Sequence, residues 1–220
     1  MKTNKHLVFS GILFTIVLFL WAIFMSISQP QGNIGEQFKW ILNHLVLYNI
    51  QYFFVLLISP SIIYLMLSLL DKFPTDHKIT YRIGNVFLNG YFVLNSIVYA
   101  SQVILVPKLL SSGLTDQADV WYFGSSTSVV FFINQMGYCF WGLGAIFLFS
   151  RLIYERGFIK YLSIIYIISA ILSVIAFIGL ILDNKSINSM TLYSGLTQIP
   201  IGVMTIIWGL KENKNKNING

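Results

Sequence analysis

Six apolar runs, each about long enough to cross the hydrocarbon core of a bilayer, divide this chain almost from end to end. A crossing helix needs about 20 mostly apolar residues. Residues 7–27, 45–70, 83–106, 128–152, 161–182 and 190–210 each supply such a run, with no Asp, Glu, Lys or Arg deep inside. Arg151 closes the fourth run, where a long side chain snorkels to the headgroups. In hydrocarbon each backbone polar group must be bonded within its own segment, and for isolated runs of this length the helix is the solution. The expected fold is all-α: a polytopic integral membrane protein, one domain over residues 1–210, built as a bundle of six transmembrane helices. Composition agrees, with 10% of the 220 residues charged and a mean hydropathy of +0.73, against roughly 25% charged in soluble domains.

The connections carry the orientation. Eleven of the 14 Lys and Arg fall on the termini and on alternate connections: Lys2, Lys5, Lys72, Lys78, Arg82, Arg151, Arg156, Lys160, Lys211, Lys214 and Lys216. Lys39, Lys108 and Lys185 occupy the others. Cytoplasmic loops hold the excess of Lys and Arg, so the expected topology is N-in/C-in with both termini cytoplasmic. The Lys/Asn/Ile-rich polar segments suggest a prokaryotic cell (plasma) membrane. The first run has an apolar stretch of about 19 residues, longer than the 7–15 of a signal peptide, so a retained anchor is expected despite the Ser26-Ile27-Ser28 sequence. The tail at 211–220, KENKNKNING, reads as disordered and polar. Residues 28–44 and 107–127 are acidic-leaning or neutral, with Phe38, Trp40, Ile41, Trp121 and Tyr122 placed as belt aromatics. Each reads as a connecting loop or, alternatively, as a short interfacial helix.

Several function classes drop out. The charge of +6 is dispersed between apolar runs, not gathered with aromatics on a soluble face, so no nucleic-acid partner is expected. The one cysteine, Cys139, has no partner for an intrachain disulfide. His44 falls on the opposite side of the membrane from His6 and His77, which removes a three-histidine metal site. Asp71 and Asp76 read as a solvated, charged loop. Metalloprotease, nucleophile-elbow and phosphate-loop motifs are missing, as are the mid-membrane ionisable groups that a proton or ion pump needs. Neither a cofactor nor a metal is expected, and an intramembrane enzyme is the weakest reading.

What stands out is amide chemistry inside the spans. Residues 85–102, NVFLNGYFVLNSIVYASQ, place Asn85, Asn89, Asn95, Ser96, Tyr99 and Gln102 within an arc of roughly 140° at 100° per residue. An unsatisfied amide in hydrocarbon is costly, so that face is expected to point inward. Span four adds Asn134, Tyr138 and Trp141, and span six adds Gln198. Together Asn85, Asn89, Asn95, Tyr99, Asn134, Tyr138, Trp141 and Gln198 form the candidate ligand pocket, between spans three, four and six. Gly195, Gly202 and Gly209 recur every seven residues, a small-residue seam suited to close helix packing. Pro60 and Pro200 interrupt spans two and six.

Residues 137–176, GYCFWGLGAIFLFSRLIYERGFIKYLSIIYIISAILSVIA, resemble the later helices of a prokaryotic membrane-protein family, the domain of unknown function 4386 family. The likeness rests on the aromatic-WGL opening, a helix ending near Arg151, the Gly157-Phe158 turn and the Ile/Ser/Ala-rich helix after it. Lys160 and Ile164 depart from the proline and glycine common in that family. The resemblance implies a six-helix fold and no defined activity. The leading expectation for function is non-enzymatic binding of a small apolar or amphipathic ligand, in transport, sensing or protection. The alternative is a structural or accessory subunit acting through helix–helix contacts. The lipid bilayer is an expected partner, beside the small apolar or amphipathic ligand, while a protein partner or homo-oligomer is left open.

Overall fold

The computed structural model describes residues 5–72 and 78–218, with side chains over 5–72 and 79–211. Lys2, Asp76 and His77 lie outside the described residues, as do the side chains of Lys78, Lys214 and Lys216. Among the described residues the chain is all-helical, and six helices are long and apolar enough to cross a membrane. They are α1 (Lys5–Ser28), α3 (Leu45–Leu70), α4 (Lys78–Ala100), α7 (Val129–Phe149), α8 (Phe158–Ile181) and α10 (Met190–Ile218). Between them lie α2 (Ile34–Asn43), α5 (Val106–Ser111), α6 (Thr115–Trp121) and α9 (Lys185–Asn188). Both long connections therefore contain helix, the less favoured of their two expected forms. The backbone of α10 also continues as helix to Ile218, through most of the segment expected to be a disordered tail.

Local sequence explains the helix starts. Asn33 accepts from the Glu36 N–H at 3.1 Å while the Glu36 carboxylate accepts from the Asn33 N–H at 2.8 Å, a reciprocal capping box that starts α2. Gly32, at φ +90°, makes the turn before it. Ser128 caps α7 by accepting from the Phe131 N–H at 3.1 Å. The third span runs from 79 to 111, beyond the expected 83–106 at both ends. The C-terminal extension comes from Pro107, which offers no N–H to the carbonyl four residues back. The chain adapts with a π-turn at Ser101–Leu105, where the Val106 N–H reaches back to the Ser101 carbonyl, and then continues as α5.

The six spans form a ring. Helix α1 packs on α3, α3 on α4, α4 on α7, α7 on α8 and α8 on α10, and α10 closes back onto α1. Short connections between sequential helices favour this neighbour-to-neighbour order. Two apolar cores fill the ring. One, toward the end carrying Lys5, Arg151, Arg156 and Lys160 (the basic end), contains Phe14, Met66, Leu88, Tyr91, Trp141, Phe149, Tyr166 and Ile201. The other lies under α2, α5 and α6 (the capped end) and contains Phe38, Tyr48, Tyr52, Tyr99, Tyr122 and Val130. Around the outside, Phe9, Phe19, Val46, Val86, Ile104, Ile181 and Leu192 are exposed along with many other large apolar side chains. An apolar exterior of that extent suits hydrocarbon, not water.

Candidate functional site

The rotation of α4 decides which amides face inward. It approaches α7 backbone to backbone at Gly84 and Gly144: a Cβ at Gly84 would lie 3.2 Å from the Gly144 carbonyl oxygen, and one at Gly144 would lie 3.1 Å from that of Gly84. With this seam set, Gly84, Leu88, Tyr91, Asn95, Val98, Tyr99 and Gln102 turn inward and are buried. Asn85 is half-buried and Asn89 is exposed on the outer surface. The expectation that all the amides of this span share an inward face is corrected for Asn89. Dispersion along a glycine-lined seam, not the polar arc, sets the helix rotation.

At the capped end a connected set of polar side chains is engaged, while Asn49 Oδ1 and Asp119 Oδ1 are buried there without partners. The π-turn aims Gln102, wholly buried, between three elements. Its Oε1 accepts from the Tyr48 hydroxyl and from the Phe123 N–H, each at 3.0 Å. Its Nε2 donates to the Trp121 carbonyl at 2.7 Å and to Ser101 Oγ at 3.0 Å. One side chain in the π-turn after α4 thus ties α3, the end of α6 and the segment after it together. One turn away, the Tyr99 hydroxyl donates to Asn134 Oδ1 at 2.7 Å and lies 3.1 Å from the Tyr138 hydroxyl. Because Tyr99 has a single proton and gives it to Asn134, Tyr138 is the donor in the second bond. Tyr48, Tyr52, Tyr99 and Phe123 pack around this network with ring centroids 4.7 to 6.5 Å apart. Above it, the Tyr122 hydroxyl donates to Gln37 Oε1 at 2.8 Å and stitches the cap to α2.

Gln198 sits elsewhere. Its Nε2 donates to Ser169 Oγ at 2.8 Å, extending a cluster in which Ser194 Oγ lies 3.1 Å from Ser169 Oγ and 2.7 Å from Ser173 Oγ. This is an α8–α10 contact, away from α4. Of the three seam glycines, Gly202 packs against Phe14 and Thr15 and Gly209 against Val8, all on α1. Gly195 has no neighbour within 4 Å and is exposed, which corrects its reading as a packing residue. Pro200 separates the two behaviours: below it α10 leans on α1, and above it on α8 through Ser194 and Gln198.

The middle of the ring is different. Asn95 is 1% exposed, and neither its Oδ1 nor its Nδ2 has a hydrogen-bond partner. The Tyr91 hydroxyl lies near enough to Asn95 and Ser59 to interact with both, but without hydrogen-bond geometry to either, so Ser59 Oγ is unpartnered as well. Asn95 Oδ1 lies over Gly137 of α7, where a Cβ would collide with it. Trp141 Nε1, one turn beyond Gly137, is buried without an acceptor, as are the Tyr166 hydroxyl, Ser163 Oγ and Gln198 Oε1 without partners. Buried polar atoms are paired in more than nine cases of ten, so several unpaired ones in one bundle demand an explanation. Sequence reading singled out Asn95, Trp141 and Gln198 but missed Tyr91, Ser59, Ser163 and Tyr166. The signals available were Tyr91 one turn before Asn95, and Ser59 immediately ahead of Pro60.

Around Asn95 the donors are Asn95 Nδ2 and Trp141 Nε1, the acceptor is Asn95 Oδ1, and the Tyr91 and Ser59 hydroxyls are able to serve as either. This cluster contains no charged group. Among the described residues, no three His, Cys, Asp or Glu side chains converge as metal ligands would. A separate groove of about 380 Å³ opens at the capped end between α2, α5 and α6, lined by Ile34, Phe38, Leu42 and Leu110 with Lys39 and Asp116. No protein-family model, curated protein or solved structure matches the chain.

Proposed function

We propose that this protein binds, without catalysis, a small neutral amphipathic molecule whose polar group sits among Asn95, Tyr91, Ser59 and Trp141 at the middle of the bundle. The observation that carries the reading is Asn95, almost fully buried with both amide atoms unpaired. Leaving such a group unsatisfied costs about 1–3 kcal/mol, and a hydroxyl, amide or ester supplied by a ligand removes that cost. A charged headgroup is disfavoured because nothing in the cluster would offset its desolvation. We further propose a prokaryotic plasma-membrane location with the basic end cytoplasmic, supported by the concentration of Lys and Arg there, and kinship with the domain of unknown function 4386 family. The accessory-subunit reading draws on the capped end, where Gln102, Asn134 and Gln37 already have protein partners.

Native mass spectrometry of the wild-type protein beside Asn95→Leu tests the proposal. The expected result is a neutral amphipath retained by the wild type and lost from a folded Asn95→Leu. A bare wild type, or an adduct retained equally by the variant, overturns it.

A further inference from the structure

Asn89 presents the opposite problem to Asn95: an amide on the outside. It lies seven residues beyond Arg82, roughly 10 Å along the helix at 1.5 Å per residue, inside a hydrocarbon layer about 30 Å thick. Its neighbours on that surface are Val86, 69% exposed, and Val93, 53% exposed. Among the described residues none hydrogen-bonds Asn89, and acyl chains offer neither donor nor acceptor. The side chain is too short to snorkel as Lys or Arg does.

Arg82, Val86, Asn89, Val93 and Ser96 follow one another at intervals of four, three, four and three, and all are exposed or half-exposed. That is the spacing of a heptad seam, in which Val86 and Val93 alternate with the polar Arg82, Asn89 and Ser96, and a polar residue within such a seam sets register. We propose that α4 pairs with α4 of a second copy of this chain along this seam, with the two Asn89 amides hydrogen-bonded to each other. Two copies inserted in the same orientation carry Asn89 at the same depth, so a twofold axis along the membrane normal brings amide to amide. Each amide holds both a donor and an acceptor and is its own complement. A different protein would need a polar group of its own at that depth. The proposal is independent of the central site, which faces the other side of the same helix.

Single-cysteine cross-linking of the full chain in membranes, in a Cys139→Ser background, tests it. Asn89→Cys and Val93→Cys are expected to form disulfide-linked dimers several-fold faster than Ile83→Cys, which is exposed on α4 but off the seam. In lipid nanodiscs Asn89→Leu is expected to weaken the dimer about 3- to 30-fold, the range of one interhelical hydrogen bond, with the protomer still folded because Asn89 is exposed on its surface. A monomeric wild type, cross-linking indifferent to position, or Asn89→Cys adducts only with a chain of different mass would each overturn the proposal.

Discussion

Gln102 and Asn95 are amides seven residues apart on the inward face of one helix, equally buried, and they differ in every other respect. Gln102 has both its oxygen and its nitrogen engaged with α3, the end of α6 and the segment after it, whereas Asn95 has neither engaged. Around Gln102 polar side chains hold helices together, whereas around Asn95 buried amide and hydroxyl groups go unpaired. The contrast teaches that burial alone does not assign a role to an intramembrane amide. What assigns it is the count of satisfied donors and acceptors.

The contrast is open to breaking. Gln102→Leu should have the largest effect, because it strands the Tyr48 hydroxyl, the Phe123 N–H and the Trp121 carbonyl together. At about 1–3 kcal/mol for each stranded group, a loss of roughly 3 kcal/mol or more is expected in reversible unfolding from mixed micelles. A loss under about 1 kcal/mol would mean that the network is replaceable by water. Asn95→Leu should go the other way: in ligand-free protein it removes two unsatisfied atoms and stabilises by about 1 kcal/mol. A clear destabilisation instead would place Asn95 in the same class as Gln102 and erase the distinction.

The smallest effect is expected at the cap. Burial pushes the Tyr122 phenol up to about 12 from its ordinary 10.0, and the protonated form donates to Gln37. The folded state holds this proton more tightly than the unfolded one. Its contribution is therefore complete below pH 10 and is lost as the pH climbs from about 10 toward 12. Stability followed over that window should decline less steeply in Tyr122→Phe than in the wild type. Equal slopes would show that the cap opens before the phenol ionises.

Most of the fold was legible because crossing a membrane is a nearly additive property of consecutive residues. The expected runs at 7–27 and 45–70 meet helices Lys5–Ser28 and Leu45–Leu70. The third run departs because Pro107, read as a loop residue, opens a π-turn and is absorbed into the helical path. The site was legible only in part. Tyr99, Asn134 and Tyr138 do converge, but Asn89 turns outward and Gln198 joins the serines of α8. A polar arc narrows the choice of faces without saying which edge of the arc meets a neighbour. Gly84 and Gly144, which carry no polar group and drew no notice as a pair, made that choice.

The amino-acid sequence by itself determined that this chain has six helices of spanning length, roughly where they lie and which of them carry amides, because hydropathy, capping and proline act over a few neighbouring residues. Only the tertiary structure decided that the helices close into a ring, that Gln102 is spent on packing, that Asn95 faces the centre unpaired and that Asn89 faces out. Those outcomes depend on the rotation of each helix about its axis. Rotation is set by where two backbones come closest, a pairwise property that neither helix carries alone.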